Sequence, residues 1–344
     1  MANCTDPIYS CTDHMPIYYA YVYLLTSIVA TGIILNTLSL AVFFKEAAQF
    51  RHLGPFVLFL RHLAFSDLLF LLFFLLIGVC RCNALETDIG KDVCNVYLAY
   101  IFRPFCNWFI AVSIWITISM SIERYIVIRK AKSMKHELTN KLVRTLVVCF
   151  YIASLILHFP FFFYMEIVDG KVQKTELAMT YGYGVWAWTR AVLAKYLPIV
   201  IITVTNICII VELCKIRKRR IKLMKQQNKT VNTAKIMRSV PLLLGICFTF
   251  VVCNSFEPIS YLDIFGPCSI YSIGYQTLAI TVNCLETFSA TVNFIFYVGF
   301  NSRFRHAFFS LLPCYKKRKI GPSETENLDM TINSLQKGRS NNTS

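Results

Sequence analysis

Three adjacent residues pose the first chemical question. Glu123-Arg124-Tyr125 stand near the end of the apolar run SIWITISMSIERYIVIRK, from Ser113 to Lys130. An acid beside a base at the edge of a greasy segment has two uses. The arginine can snorkel to lipid head groups as an anchor. Alternatively, the pair can form a latch whose opening frees a guanidinium for a partner. A second set, Asn36, Asp67, Ser113, Ser289 and Asn293, lies inside apolar runs. A lone carboxylate in hydrocarbon costs about 3 kcal/mol on insertion scales, so Asp67 needs partners, and the other four are the candidates. Such a cluster either glues helices together or holds a sodium ion or proton shared between two conformations.

Other chemistries fare worse. The spans hold no second mid-membrane Asp for a paired-acid hydrolase, and His158 has no evident nucleophile beside it. The 14 Cys form neither CxxC pairs nor His-Cys clusters, so no zinc or other structural metal is expected. An enzyme is not expected.

The elements that must carry these residues are membrane helices. The 344 residues are 56% hydrophobic and only 16% charged, with a mean hydropathy of +0.53. Soluble chains carry about a quarter charged residues. A bilayer core takes about 20 apolar residues per helix, and seven segments qualify: 18–44, 55–80, 94–128, 142–165, 190–214, 236–262 and 270–299. Residues 1–17 carry no Lys or Arg and show no signal-peptide pattern, so the first run should insert as a span.

The net charge of +16 is not a nucleic-acid footprint, because it falls in short loops on one side. Lys45 and Arg51 follow the first span, Arg129 to Lys135 the third, and Lys215 to Lys225 the fifth. By the positive-inside rule the N-terminus is outside and the C-terminus cytoplasmic. Asn3-Cys4-Thr5 is then a glycosylation sequon on the correct face. Residues 300–313 place Phe300, Phe304, Phe308 and Leu311 at helical spacing, an amphipathic helix for the membrane surface. Cys314, before a basic run, is either a palmitoylation site or an ordinary cysteine. Residues 314–344 read as a disordered cytoplasmic tail. The domain plan is thus an extracellular 1–17, a helical bundle over 18–299, the surface helix and the tail.

The full constellation resembles the rhodopsin-like G-protein-coupled receptors over residues 18–315. It comprises seven spans, Asn36, Asp67, Glu123-Arg124-Tyr125, Pro198, and Asn293-Phe-Ile-Phe-Tyr297 before a surface helix. The resemblance implies an all-α bundle of seven transmembrane helices plus an eighth. It implies an inner switch of Glu123, Arg124, Tyr125, Asn293 and Tyr297, with sodium at Asp67 as a modulator. The partners it implies are an extracellular ligand, a heterotrimeric G protein, arrestin and the bilayer. A light receptor is excluded by the lack of any Lys in 270–299. The competing class is a transporter or channel using Asp67, but its usual internal repeats are missing.

Finer features are similar to the invertebrate FMRFamide and myosuppressin type of neuropeptide receptor and their orphan relatives. These are Pro104, Ser113-Ile-Trp115-Ile-Thr117, His158-Phe-Pro160-Phe-Phe-Phe, Cys253-Asn254 where Cys-Trp is usual, and Phe300-Asn-Ser-Arg303-Phe-Arg305. An Arg-Phe-amide ligand would need an acid and an aromatic slot. The candidate pocket is Arg103, Asn107, Trp108, Glu257, Tyr261, Gln276 and Glu286, with Glu257 and Glu286 the informative acids; Arg103 could instead pair with one of them. An orphan receptor for a non-peptide ligand is the alternative. The chain also departs from the family. Residues 166–189 contain no Cys, so the usual bridge from Cys94 to the second outer loop cannot form. An N-terminal Cys or Cys268 are alternative partners. Phe256 stands where the sixth helix usually has proline, and Pro258 lies further on.

Overall fold

The computed structural model describes residues 14–45, 55–82, 84–85, 87–129, 138–224, 233–257 and 273–311. The sequon at Asn3, the pocket candidate Tyr261, Pro258, Cys268, the lipidation candidate Cys314 and the whole tail, 314–344, lie outside them. Within them the chain is almost wholly helical. We number the helices α1 (Met15–Lys45), α2 (Pro55–Arg81), α3 (Asp88–Arg129) and α4 (Asn140–Phe163). α5 is built from Tyr181–Ala191, Val192–Tyr196 and Leu197–Met224. α6 is Thr233–Asn254, α7 Ile273–Phe300 and α8 Ser302–Leu311. Among the described residues, six helices are long and apolar enough to cross a membrane, and α6 adds the shorter apolar stretch Val240–Asn254.

Residues up to Arg305 form one compact unit. Its centre is α3, which packs against α2, α4, α5 and α6, while α7 closes the ring against α1, α2 and α6. The outside of this bundle is apolar. Ile152, Ile156, Val200, Val204, Ile207, Phe248 and Ile295 are all exposed, as lipid-facing positions should be and as water-facing ones rarely are. Close approach at one seam depends on Gly32. A Cβ there would meet the Thr291 side chain and lie 2.7 Å from Leu71 Cδ1, so α1 could not sit against α2 and α7.

Helix starts follow ordinary capping chemistry and shift several expected boundaries. Thr87 accepts from the Gly90 amide at 3.1 Å, so α3 begins at Asp88 rather than 94. Thr180 caps α5 by accepting from the Tyr183 amide. Tyr181 to Trp188, read from sequence as loop, are therefore helical. Between α4 and α5 lies a hairpin of β1 (Met165–Val168) and β2 (Lys171–Lys174). Its turn, Asp169-Gly170, has φ values of 48° and 70°. Two positive φ values are the requirement of the tight hairpin turn that Asp-Gly favours. α6 stops at Asn254, and Phe256 lies in the bend beyond it rather than in a span to 262.

Candidate functional site

Glu123 and Arg124 form a two-contact ion pair. Arg124 Nη2 donates to Glu123 Oε1 at 3.0 Å, and Nε lies 2.6 Å from Oε2. Both residues are buried, and the guanidinium stacks over the Phe56 ring at 4.1 Å. A fork-on-carboxylate pair under an aromatic ring is desolvated, which strengthens it relative to an exposed helix-end pair. Tyr125 faces outward and accepts from Arg129 Nη1 at 3.2 Å. A neighbouring contact the sequence did not announce joins α3 to α6: Ser121 Oγ lies 3.0 Å from Cys247 Sγ.

In mid-bundle, Asp67 is buried and accepts two hydrogen bonds. Ser113 Oγ donates to Oδ1 at 2.6 Å, and Asn293 Nδ2 donates to Oδ2 at 2.8 Å. This ties α2, α3 and α7 at one point. Asn36 does not reach the carboxylate. Its Nδ2 instead donates to the backbone carbonyls of Gly32, at 2.9 Å, and Ala290, at 3.0 Å, pinning α1 to α7 one turn from Asn293. Ser289 joins Asp67, Ser113 and Asn293 in lining a cavity of about 20 Å³, room for a single water-sized occupant. Carboxylate, hydroxyl and amide oxygens are the ligand types a hard cation takes, so Asp67, Ser113 and Ser289 fit a sodium ion. Tyr297 is fully buried. Its ring packs between Phe43 and Phe304, at centroid distances of 5.5 and 5.4 Å. Its hydroxyl is buried with no hydrogen-bond partner among the described residues.

The pocket candidates divide. Glu257 and Glu286 come together, but neither pairs with Arg103. Both hold the ammonium of Lys195, with Glu286 Oε1 at 3.0 Å. The three side chains are buried and connect α5, α7 and the segment after α6. Lys195 is not among the residues expected from sequence, although an ammonium inside an apolar run is a functional signal in its own right. It sits in the wide turn Val192–Tyr196. Pro198 has no amide to give the Ala194 carbonyl, so the ladder loosens there and the turn can widen.

Arg103 instead lies over the Tyr164 ring at 5.0 Å. Tyr164 stacks with Tyr183, which packs on Trp186, and Arg190 lies over Trp186 and Phe161. Asn107 joins this group by accepting from Arg190 Nη1 at 3.5 Å. Trp108 is directed at α4, where its indole donates to the Tyr151 carbonyl at 2.8 Å. Gln276 accepts from Arg81 Nη2 at 3.1 Å, on the α2–α7 side.

Cys94 is bonded to Cys80, with their Cα atoms 4.8 Å apart. The partner is thus neither an N-terminal Cys nor Cys268, and the bridge joins α2 to α3 directly. Cys82 is also disulfide-bonded.

Against known proteins, the family model described as 7 transmembrane receptor (rhodopsin family) matches residues 35–297. A probable G-protein coupled receptor of Caenorhabditis elegans, B0563.6, is 25% identical over 330 residues, covering 92% of this chain and 74% of the relative. A second from the same organism, AH9.1, is 24% identical over 294 residues, covering 78% of this chain and 70% of that one. The crystal structure of squid rhodopsin superposes with a TM-score of 0.66 at 19% identity, over 87% of this chain and 81% of that chain. That likeness shows the fold: a rhodopsin-type bundle, with α8 following α7. The chain belongs to the rhodopsin family of seven-transmembrane receptors, and is a multi-pass G-protein-coupled receptor rather than an enzyme.

Proposed function

We propose that this receptor is activated by a neuropeptide at the disulfide end of the bundle and couples to a heterotrimeric G protein at the Arg124 end. The observation that carries the coupling is the buried, two-contact Glu123–Arg124 pair. A latched guanidinium is a two-state element, and an agonist acts by its differential affinity for the two states. Tyr125, Asn293 and Tyr297 belong to the same switch. The bias of basic residues to one set of loops supports an extracellular N-terminus and a cytoplasmic C-terminus; in this reading the membrane is the plasma membrane and arrestin is the further partner. Sodium at Asp67 modulates the equilibrium.

The peptide reading rests on the resemblance carried by Pro104, Trp115 and the His158 motif, and on the aromatic shelf of Tyr164, Tyr183 and Trp186. A C-terminally amidated Arg-Phe peptide offers a ring for that shelf and a guanidinium for Glu257 or Glu286. Because Lys195 already holds both acids, the ligand cation must share or displace it. The test is a screen of amidated peptides on cells expressing the chain with a promiscuous G protein. The expected result is a calcium response that disappears in Arg124→Ala at equal surface expression. A response that persists in Arg124→Ala contradicts the coupling. Silence to all peptides with response to a non-peptide ligand contradicts the ligand class alone.

A further inference from the structure

Three helices bring cations together at the Arg124 end of the bundle, and no acid accompanies them. α2 starts at this end, where the Arg124 guanidinium lies over its Phe56. Arg61 is the seventh residue of α2, which begins at Pro55. α1 ends in Phe44 and Lys45, and α4 opens with Lys141 and Arg144 in its first turns. α2 packs against both α1 and α4. The Arg61 guanidinium lies over the Phe44 ring at 5.1 Å, and its Nε is buried with no hydrogen-bond partner among the described residues. His62 is half-buried. Arg144 of α4 is close enough to repel a charge on either Arg61 or His62.

Residues 40–45, 55–66 and 138–145 contain no Asp or Glu. Among the described residues, the ion pairs of the chain involve neither Arg61, His62 nor Arg144. Like charges held together without an acid raise the energy of the fold, so an anion would complete the arrangement. Topology alone does not ask for it. The positive-inside rule is met by residues in loops and at helix ends, such as Lys45 and Lys141. Arg61 instead stands within the apolar part of α2. The surface around the cations is apolar too, since Phe44, Phe65, Leu142 and Val148 are exposed. A free anion in water makes no use of such a wall. A lipid uses both parts, with its chains on the apolar side chains and its headgroup at the cations.

We propose that α1, α2 and α4 form a site for an anionic phospholipid of the cytoplasmic leaflet whose headgroup carries phosphate monoesters, held by Arg61, His62 and Arg144. This rests on the reading that the Arg124 end faces the cytoplasm. Each guanidinium offers a planar fork of donors to phosphate oxygens, and His62 adds a ring N–H. Several cations converge, so a headgroup with more than one phosphate is favoured over a single phosphodiester, as in other basic clefts between membrane helices. The Phe44 and Phe65 side chains lie against the acyl chains.

The test uses the purified full-length receptor in phosphatidylcholine nanodiscs. Its melting temperature is followed as phosphatidylinositol bisphosphate is added, and separately as phosphatidylserine is added to the same total charge. A bound lipid stabilises according to its occupancy, so the readout is the mole fraction at half-effect. The bisphosphate lipid should stabilise wild type saturably, and phosphatidylserine should do so much less. Arg61→Gln and Arg144→Gln should each raise the half-effect fraction about tenfold, the equivalent of one lost charge-assisted contact. Arg61→Lys keeps the charge without the fork, should fall between, and serves if Arg61→Gln does not fold. Lys215→Gln, in the basic run after the fifth span, should leave the half-effect unchanged. Equal stabilisation by phosphatidylserine, a response that Arg61 and Arg144 variants do not alter, or no response in wild type overturns the proposal. Equal stabilisation by soluble inositol trisphosphate in plain phosphatidylcholine overturns the lipid as the source of the phosphate. Both faces of a nanodisc are open, so these failures leave the orientation and the G-protein coupling standing.

Discussion

Lys195 of α5 and Glu286 of α7 are joined by a buried ion pair of 3.0 Å, and Glu257 grips the same ammonium. One cation between two acids ties three parts of the bundle: α5, α7 and the segment after α6. The pair is hard to replace by solvent, since each of its members is at most 9% exposed.

Removing the ammonium should therefore be harsher than removing one acid. Lys195→Met leaves two carboxylates buried together and is expected to destabilise the receptor by about 3–5 kcal/mol. Glu286→Gln alone keeps the Lys195–Glu257 pair and should be milder. The double variant Lys195→Met, Glu286→Gln should recover part of the loss. Thermal melting of the purified receptor checks the order. A Lys195→Met protein as stable as wild type contradicts the picture of a load on this triad.

The Cys80–Cys94 bridge makes a prediction that the family's usual disulfide would not. Cys80→Ser and Cys94→Ser should each lower surface expression, and the double variant should be no worse than either single one. Loss of a loop closed over 14 residues is expected to cost about 3 kcal/mol. A double variant clearly worse than the singles would mean that Cys94 bonds elsewhere.

The Arg124 half of the bundle is more legible in sequence than the half that holds the Cys80–Cys94 bridge, for physical reasons. Asp67 and Arg124 stand out because charge is rare in apolar runs, and their partners Ser113, Asn293 and Glu123 are polar groups on the same or facing helices. Asn36 was legible as buried, but not as a clamp on a carbonyl, since a backbone acceptor leaves no mark in residue types. Lys195 carries the same signal as Asp67, but its position near the end of an apolar run makes it look like one more flanking basic residue. The start of α5 at Tyr181 was hidden because YGYGVWAWT is rich in glycine and aromatics, and only the Thr180 cap and packing in the bundle make it helical. The hairpin had its Asp169-Gly170 mark in plain view. The Cys80–Cys94 pairing depends on where α2 and α3 end in space, which spacing alone does not give.

Tyr297 separates stability from signalling. Its hydroxyl is buried and has no hydrogen-bond partner among the described residues, so Tyr297→Phe removes nothing satisfied in this state. Melting should stay within about 0.5 kcal/mol of wild type, while the proposed place of Tyr297 in the switch predicts that G-protein activation falls. A destabilised Tyr297→Phe with intact signalling would assign the hydroxyl to structure alone.

The most direct test of the account is guanine-nucleotide exchange on a purified heterotrimeric G protein by the receptor reconstituted in lipid vesicles. Glu123→Gln weakens the latch on Arg124 and should raise basal exchange above wild type. Arg124→Ala should reduce exchange to the level of empty vesicles, as should Glu123→Gln combined with Arg124→Ala. Exchange by Glu123→Gln equal to wild type, or exchange that survives Arg124→Ala, would contradict the claim that this ion pair is the switch.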